Sequence, residues 1–219
     1  MAKIENNLGS VLAQVDTAHQ ALRTTPRPMQ AAGYYRFASV TGLLTALAAG
    51  GELMQFRWPS TTHLALIQQV SVRAIVATAF TAPQELGFNA AQVTGFTANG
   101  SGGSGIVPGA ANLMKRTSFP QSQAADLRLA TTAALGVGTK VIFGSNFWEK
   151  NGYAGAVGAE VVNHSMDASD GSGEYPIVLA QNEGIILRNG PVTMGAGGLV
   201  RVSVELAWVE VLAADFPGF

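Results

Sequence analysis

Two shortages limit what this chain can be: it has no cysteine, and it carries few charges. The absence of cysteine excludes disulfides, thiolate zinc sites and cysteine nucleophiles together. Charged residues make up 12% of the 219 residues, whereas a typical soluble domain has about 25%. Because apolar residues reach 47%, the chain should nevertheless fold around a core. A surface with so few charges indicates that other protein covers much of it.

An excess of positive charge and a long apolar run are also missing. The chain has 13 Lys and Arg residues against 14 Asp and Glu residues, and nucleic-acid-binding proteins normally show a basic excess. No run approaches the roughly 20 apolar residues of a membrane-spanning helix, and no polybasic cluster would bind a membrane surface. The first residues, MAKIENN, lack the apolar segment of a secretory signal. We therefore expect neither nucleic acid nor membrane as a partner.

The N-terminal segment has apolar residues at helical spacing, which predicts an amphipathic helix over residues 4–22. The sequence TTPRP at 24–28 then ends the pattern, because proline disfavours helix on both sides. We expect a helix and an extended arm over residues 1–36. The stripe would pack either on its own domain or on a neighbouring subunit, and its members are Ile4, Leu8, Val11, Leu12, Val15, Ala18 and Leu22.

The rest of the chain has the patterns of β-strands. Residues 64–80 and 200–208 alternate between apolar and polar side chains, which is typical of a half-buried strand. Turn signals such as Asn151-Gly152 and Asn189-Gly190 separate the segments. Further short strands are predicted at 53–58, 92–97, 127–132, 140–143, 158–162, 177–180 and 185–188.

About eight strands at this spacing predict an all-β fold: an antiparallel β-sandwich over residues 37–219, with a jelly roll as the leading topology. A short helix is expected at residues 41–49, ended by Gly50 and Gly51. Residues 99–117 and 163–173 are predicted to form long loops, which in a β protein often reach a partner.

One glycine-rich stretch imitates a cofactor motif. Gly100, Gly102 and Gly105 match the letters of the dinucleotide fingerprint. That fingerprint works because a helix N-terminus follows the glycines and binds the pyrophosphate. Here Pro108 and Gly109 follow instead. We therefore interpret the stretch as a loop and expect no cofactor.

Other chemical motifs are weak. The segment 167–174 holds three carboxylates, but their spacing does not fit an EF-hand, so we favour a solvated turn over a calcium site. His19, His63 and His164 are scattered in sequence and show no metal-ligand spacing. No Gly-x-Ser-x-Gly elbow is present. We expect neither a metal site nor enzymatic activity.

Two short segments, YYRF at 34–37 and FRW at 56–58, combine aromatic side chains with arginine, as interface hot spots do. They border the arm and the first strand, so contact with another subunit and burial in the domain's own core are both open. Together with part of the N-terminal stripe, they form the candidate interface: Leu8, Val11, Leu12, Val15, Tyr34, Tyr35, Arg36, Phe56, Arg57 and Trp58.

Several runs resemble structural proteins of tailed-bacteriophage virions, in style and order rather than in a catalytic signature. The resemblance covers most of residues 22–210. It is carried by LRTTPRP…GYYRFASVTGLLTAL (22–47), QFRWPS (55–60), AFTAPQELGF (79–88), VTGFTANGSGG (93–103), KRTSFPQS…DLRLATTAAL (115–135) and EYPIVLAQNEGIILRN (174–189).

Capsid cement or decoration proteins are the closest fit within that group. The resemblance implies a small β-sandwich that forms a homotrimer and clamps the major capsid protein from the outside of the virion. Such a protein would be made in the cytoplasm of the bacterial host. The alternatives are a tail, fibre or receptor-binding component, or a lectin or enzyme built on a jelly roll.

Overall fold

The alternating segments of the sequence form long antiparallel strands. The computed structural model describes residues 3–6, 9–12, 15–16, 21–22, 31–106, 122, 127–158, 160–167 and 177–215. A single 3-10 turn, Ala213–Asp215, is the only helical element in those ranges. The strands are β1 Lys3–Asn6, β2 Gly9–Leu12, β3 Val15–Asp16, β4 Ala21–Leu22, β5 Ala31–Val40, β6 Glu52–Trp58, β7 His63–Thr78, β8 Gln84–Ala98, β9 Ser104–Ile106, β10 Leu127–Leu129, β11 Thr139–Ala154, β12 Glu160–Asp167, β13 Ile177–Leu179, β14 Glu183–Asn189 and β15 Leu199–Leu212.

Two sheets make up the body of the chain. Sheet 1 has the strand order β11-β8-β14-β6-β10-β9, and sheet 2 has the order β12-β7-β15-β5, with β13 also paired to β7. All pairings are antiparallel. Strand β11 lies beside β12, so one side of the sandwich carries the β11 and β12 edges. The β5 edge is therefore on the opposite side.

The core lies between the inner faces of the two sheets. Along β15, the even positions from Val200 to Trp208 are buried, whereas Arg201 is exposed and Ser203 is half-buried. Four aromatic rings meet in this core. The ring centroids of Tyr35 and Trp208 are 5.5 Å apart, and those of Phe56 and Trp208 are 5.0 Å apart. The ring of Trp58 stacks on Phe56 at 6.5 Å, so the cluster joins β5, β6 and β15.

The predicted fold class is confirmed as an all-β protein with two antiparallel sheets. The predicted strands at 53–58, 64–80 and 185–188 coincide closely with β6, β7 and β14. Strand β11 is much longer than the predicted 140–143, since its Gly and Asn residues hide its continuity. Strand β12 runs on to Asp167, although residues from 163 onward were expected in a loop.

Two predicted helices are absent from the described residues. Residues 41–49 form a loop that is bridged to β15 through Leu44 and Val200. The N-terminal helix over 4–22 is not confirmed, because the described residues there pair as two short hairpins, β1 with β2 and β3 with β4. Gly9-Ser10 in the middle of the stripe and β-branched Ile4, Val11 and Val15 have low helix propensity, which works against the helical period.

The predicted arm also ends earlier than expected. Strand β5 begins at Ala31 and pairs with β15 up to Val40, so Tyr34, Tyr35 and Arg36 belong to sheet 2. Leu8 lies outside the described residues.

We expect Trp208→Ala to lower the free energy of unfolding by about 3–5 kcal/mol, the usual cost of removing a large buried aromatic side chain. Trp208 is 1% exposed and contacts the rings of two other core residues. Urea denaturation of the purified protein measures the change. Tyr153→Ala is the control, because Tyr153 is 75% exposed; an equal loss in both variants would contradict the assignment of the core.

Candidate interaction surface

The predicted interface residues divide between core and surface. Tyr35, Phe56 and Trp58 are fully buried between the sheets, where another subunit could not contact them. Arg36 is exposed, and Tyr34 and Arg57 are half-buried. Val11, Leu12 and Val15 lie on the N-terminal hairpins. The aromatic residues of the two segments are thus mainly packing residues, and any interface has to be built from other parts of the surface.

A buried carboxylate lies at one end of the aromatic core. Glu210 is 1% exposed, and its Oε1 accepts hydrogen bonds from Trp208 Nε1 at 3.1 Å and from Ser122 Oγ at 2.5 Å. Burial, with a smaller contribution from the Glu210 charge, raises the pKa of Tyr35 well above its ordinary value. The phenol therefore stays protonated at neutral pH. Through Ser122, Glu210 also ties a residue between β9 and β10 to the end of the core.

A second buried charge fixes the beginning of β11 to the middle of sheet 1. Lys140 Nζ lies 2.9 Å from Glu52 Oε2, and the two side chains are only 2% and 6% exposed. Lys140 also donates a hydrogen bond to the carbonyl of Val137 and lies 4.9 Å from the centre of the Phe96 ring. Gln55 Nε2 donates to the same Glu52 oxygen at 2.6 Å. Both charges are therefore paired, which a buried ion pair requires.

Gln55 extends this network to the neighbouring loops. Its Nε2 donates to the carbonyl of Gly136 at 2.7 Å, and its Oε1 accepts from the backbone amide of Gly100 at 2.8 Å. An added Cβ at Gly100 would lie 1.6 Å from the Gly136 carbonyl oxygen, so the two loops cross there at a distance that only glycine permits. The glycines of the false dinucleotide motif therefore include one with a packing role.

Strand β11 projects beyond the cover of the sandwich at this end. Val141, Ile142 and Phe143 are 68%, 41% and 62% exposed. Consecutive strand residues point to opposite faces, so neither face of β11 is covered here. The pairing with β8 is interrupted between Ile142 and Asn146, and Gly144 has a φ of 67°, which is typical of a bulge.

Exposed apolar side chains concentrate around this strand. In the described part of the chain, nine large apolar side chains are exposed, and six of them fall within residues 137–157. Among the described residues, β11 pairs only with β8. It is therefore an edge strand whose free edge begins in an apolar segment, an arrangement that favours pairing with another strand.

The outer face of sheet 2 offers a different kind of surface. Strand register places small residues side by side across it, with Ser165 opposite Ser71, Ser71 opposite Glu205, and Glu205 opposite Ala38. Four of its charges form two ion pairs: Arg36 lies 2.6 Å from Glu205, and Arg73 lies 2.6 Å from Glu160. Arg201 adds a further exposed charge. We name Ala38, Ser71, Ser165 and Ser203 with these two pairs the flat face. Little charge has to be desolvated when protein covers such a face.

A polar cleft opens around Arg188, which lies opposite Glu52 in the pairing of β14 with β6. The cleft holds about 260 Å³. Arg188 donates to Asn89 Oδ1 at 2.9 Å and to Asn146 Oδ1 at 2.5 Å, and Asn146 Nδ2 donates to Glu149 at 3.0 Å. Three strands, β8, β11 and β14, position this group. Asn189 beside it donates to three loop carbonyls, which fixes the wall of the cleft.

Other sequence hypotheses concern ions and membranes. No helix among the described residues is long and apolar enough to span a bilayer. Within the same residues, no three His, Asp or Glu side chains cluster as metal ligands. His63 Nδ1 lies 2.9 Å from Thr62 Oγ1. Of the acidic segment 167–174, residues 168–174 lie outside the described residues, so calcium binding by this segment stays a hypothesis.

Sequence reasoning missed the parts of the surface that the fold brings together. Glu52 and Lys140 lie 88 positions apart, and only strand order joins them through β6, β14, β8 and β11. The apolar triplet VIF at 141–143 is a visible signal, but it is equally typical of a buried strand. The cleft likewise depends on three strands whose polar residues show no common pattern.

Comparisons with known proteins do not assign this chain to a family. No family model matches the chain, and no curated protein matches it. One solved structure found is that of infectious bursal disease virus, Gx strain, with 10% identity and a TM-score of 0.14. The match covers 95% of this chain and 49% of the viral chain. A likeness at this level carries no argument about fold or function.

We expect Lys140→Met to lower the free energy of unfolding by about 3–5 kcal/mol, because it leaves the Glu52 carboxylate buried without its cation. Adding Glu52→Gln removes that stranded charge and keeps an acceptor for Gln55, so the double variant should recover a large part of the loss. Urea denaturation of the four combinations gives the coupling energy. Additive losses would contradict a direct ion pair.

Proposed function

We propose that this chain is a non-enzymatic structural protein of a tailed-bacteriophage virion, which binds the outside of the capsid and bridges major capsid subunits. The observation that carries the proposal is the flat face of sheet 2. It spans four strands, bears small residues along its middle, and pairs most of its charges internally, with Arg201 as an additional exposed charge. Such a face can lie against another protein surface at a small desolvation cost, because few of its charges lack a partner within the chain.

The proposal includes a jelly-roll topology for residues 31–215. Strands β5, β6, β7 and β8 alternate between sheets 2 and 1, and β11, β12, β14 and β15 also alternate between the two sheets. The sheet orders β5-β15-β7-β12 and β6-β14-β8-β11 support an eight-strand double Greek key, an architecture used by viral capsid and lectin domains. Strands β9, β10 and β13 are additions at the margins of the two sheets.

Stabilisation of a capsid by this protein would rest on avidity. Each copy contributes a modest contact, and linked copies on one shell raise the effective concentration of every further contact. We expect the protein to occur in virions at a copy number close to that of the major capsid protein. Quantitative mass spectrometry of purified particles measures this ratio, and a count of a few copies per particle would point to the tail.

We expect the pair of changes Ala38→Lys and Ser165→Lys to weaken binding to capsids at least tenfold. Both residues are exposed on the flat face, so the changes add charge and bulk without disturbing the core. Co-sedimentation with expanded capsids that lack the protein measures the effect. Ala133→Lys, in an exposed loop between β10 and β11, is the control. Unchanged binding by the double variant would remove the flat face from the proposal.

The polar cleft favours a second candidate, a receptor-binding component of the tail or fibre. Arginine, asparagine and glutamate side chains held by hydrogen bonds between strands are suited to the hydroxyl groups of a saccharide. A lectin on the same architecture belongs to this alternative, since its recognition would use the same cleft.

On that alternative, Arg188→Ala should abolish binding to oligosaccharides of the bacterial surface, because it removes the donor that holds both Asn89 and Asn146. Glycan-array binding of the purified protein is the measurement. Arg201→Ala is the control, as Arg201 is exposed on sheet 2. An array without any bound saccharide would reject the receptor-binding role and leave the capsid role standing.

A further inference from the structure

Three buried side chains from β6 and β11 bring an amine, a carboxylate and a carboxamide together. Glu52 Oε2 lies 2.9 Å from Lys140 Nζ and accepts a hydrogen bond from Gln55 Nε2 at 2.6 Å. One carboxylate oxygen therefore contacts both the amine and the carboxamide. Gln55 is fully buried, and the side chains of Glu52 and Lys140 are nearly so. The exclusion of water removes hydrolysis as a competitor of any reaction between these groups.

We propose that Lys140 and Gln55 form an intramolecular isopeptide bond, an amide between two side chains, with Glu52 as the proton carrier. The bond between Lys140 Nζ and Gln55 Cδ forms, and the bond between Cδ and Nε2 breaks, so that ammonia leaves. The reaction needs no oxidant, cofactor or second chain. Each molecule modifies itself once, and the ion pair described above is the state before the reaction.

Glu52 accounts for both protons that the amine has to lose. Lys140 as an ammonium group has no lone pair, and the neighbouring Glu52 takes its first proton. The neutral amine then attacks Gln55 Cδ, and Glu52 passes this proton to Nε2, which leaves as ammonia. The second proton moves from Nζ to Glu52. A buried ion pair thus becomes a neutral amide and a neutral carboxylic acid, which removes two charges from an environment where charges are costly.

The hydrogen bonds of Gln55 favour attack on its carboxamide. Its Oε1 accepts from the backbone amide of Gly100 at 2.8 Å, and a donor at this position stabilises the negative charge that develops on the oxygen during the attack. Its Nε2 also donates to the carbonyl of Gly136 at 2.7 Å. Both ends of the carboxamide are therefore held, which lowers the entropic cost of bringing the two reacting groups together.

The surroundings of the amine favour Gln55 over Glu52 as the acyl group. Lys140 donates to the carbonyl of Val137 and lies 4.9 Å from the centre of the Phe96 ring, so its amine is held close to β6. Attack on Glu52 itself would expel an oxygen anion and would require an acid beside it. Gln55 is an amide and cannot act as that acid.

The proposed bond would brace sheet 1 covalently. It joins β6, in the interior of the sheet, to β11 at its edge, and it closes a ring over residues 55–140. A chain without cysteine has no disulfide, so this bond would supply a covalent cross-link by other chemistry. Strands β7 and β8 lie inside the ring, and the ring would persist when the chain unfolds.

Intact-mass spectrometry of the purified full chain tests the proposal directly. The protein should be lighter than its sequence by the mass of one ammonia molecule. Tandem mass spectrometry of a proteolytic digest should find a branched peptide in which Lys140 is joined to Gln55. Samples are taken after purification and again after days at neutral pH, so that a slow reaction is also detected. A chain that keeps its full mass in both samples would overturn the proposal.

Variants separate the roles of the three side chains. Lys140→Met removes the nucleophile, and Glu52→Gln removes the proton carrier but leaves both reacting groups, so neither variant should lose ammonia. Lys150→Met is the matched control, since Lys150 is exposed on the same strand, and it should still form the bond. Circular dichroism shows whether each variant folds. If Glu52→Gln fails to fold, Glu52→Asp replaces it and should slow the cross-linking by roughly tenfold or more.

Three further outcomes would also overturn the proposal. One is a loss of water with Lys140 joined to Glu52, and another is cross-linking of Glu52→Gln at the full rate. The third is a loss of ammonia confined to the Asn-Gly sequences at 99–100, 151–152 and 189–190, where ring closure onto the backbone also releases ammonia. None of these measurements involves capsids or saccharides, so their failure would leave the proposed function untouched.

Discussion

The structure depends on one constraint: two strongly apolar inner sheet faces have to cover each other. Trp208, Phe56 and Tyr35 pack together from three strands of both sheets, and separating the sheets would expose all of them. Burial of large aromatic side chains dominates such a core. Once the inner faces are fixed together, the outer faces, the edges and the strand ends are the surfaces that remain for contact with partners.

Those remaining surfaces differ in chemistry because of how the sheets end. Sheet 2 ends in β5 and β12, and its outer face presents small side chains together with mostly paired charges. Sheet 1 ends in β11, whose beginning is fixed by Lys140 and Glu52 although the following apolar residues stay exposed. The ion pair therefore positions a segment that lacks cover within a single chain. The same strand reaches the polar cleft through Asn146 and Glu149, so β11 contributes to two of the three candidate surfaces.

The all-β class and several strands could be predicted from the sequence, because β7 and β15 repeat the alternation of a half-buried strand over many residues. Strand β11 was largely missed, since Gly144 and Gly152 interrupt its pattern and its apolar residues are exposed. The aromatic segments were ambiguous for a related reason: Tyr35 and Trp58 differ from Arg36 and Arg57 in burial, and adjacent residues change face in a strand. Pairs such as Glu52 with Lys140 depend on strand order, which periodicity does not contain.

The scarcity of charge on the flat face has a consequence for the conditions under which a contact there would hold. Its two ion pairs are already satisfied within the chain, so dissolved ions have little unpaired charge to screen. Contacts made by small polar and apolar groups are not accelerated by long-range electrostatic attraction, and their binding affinity falls little when ionic strength rises. A partner of this face would associate without electrostatic steering, and its affinity would change little between dilute and concentrated salt.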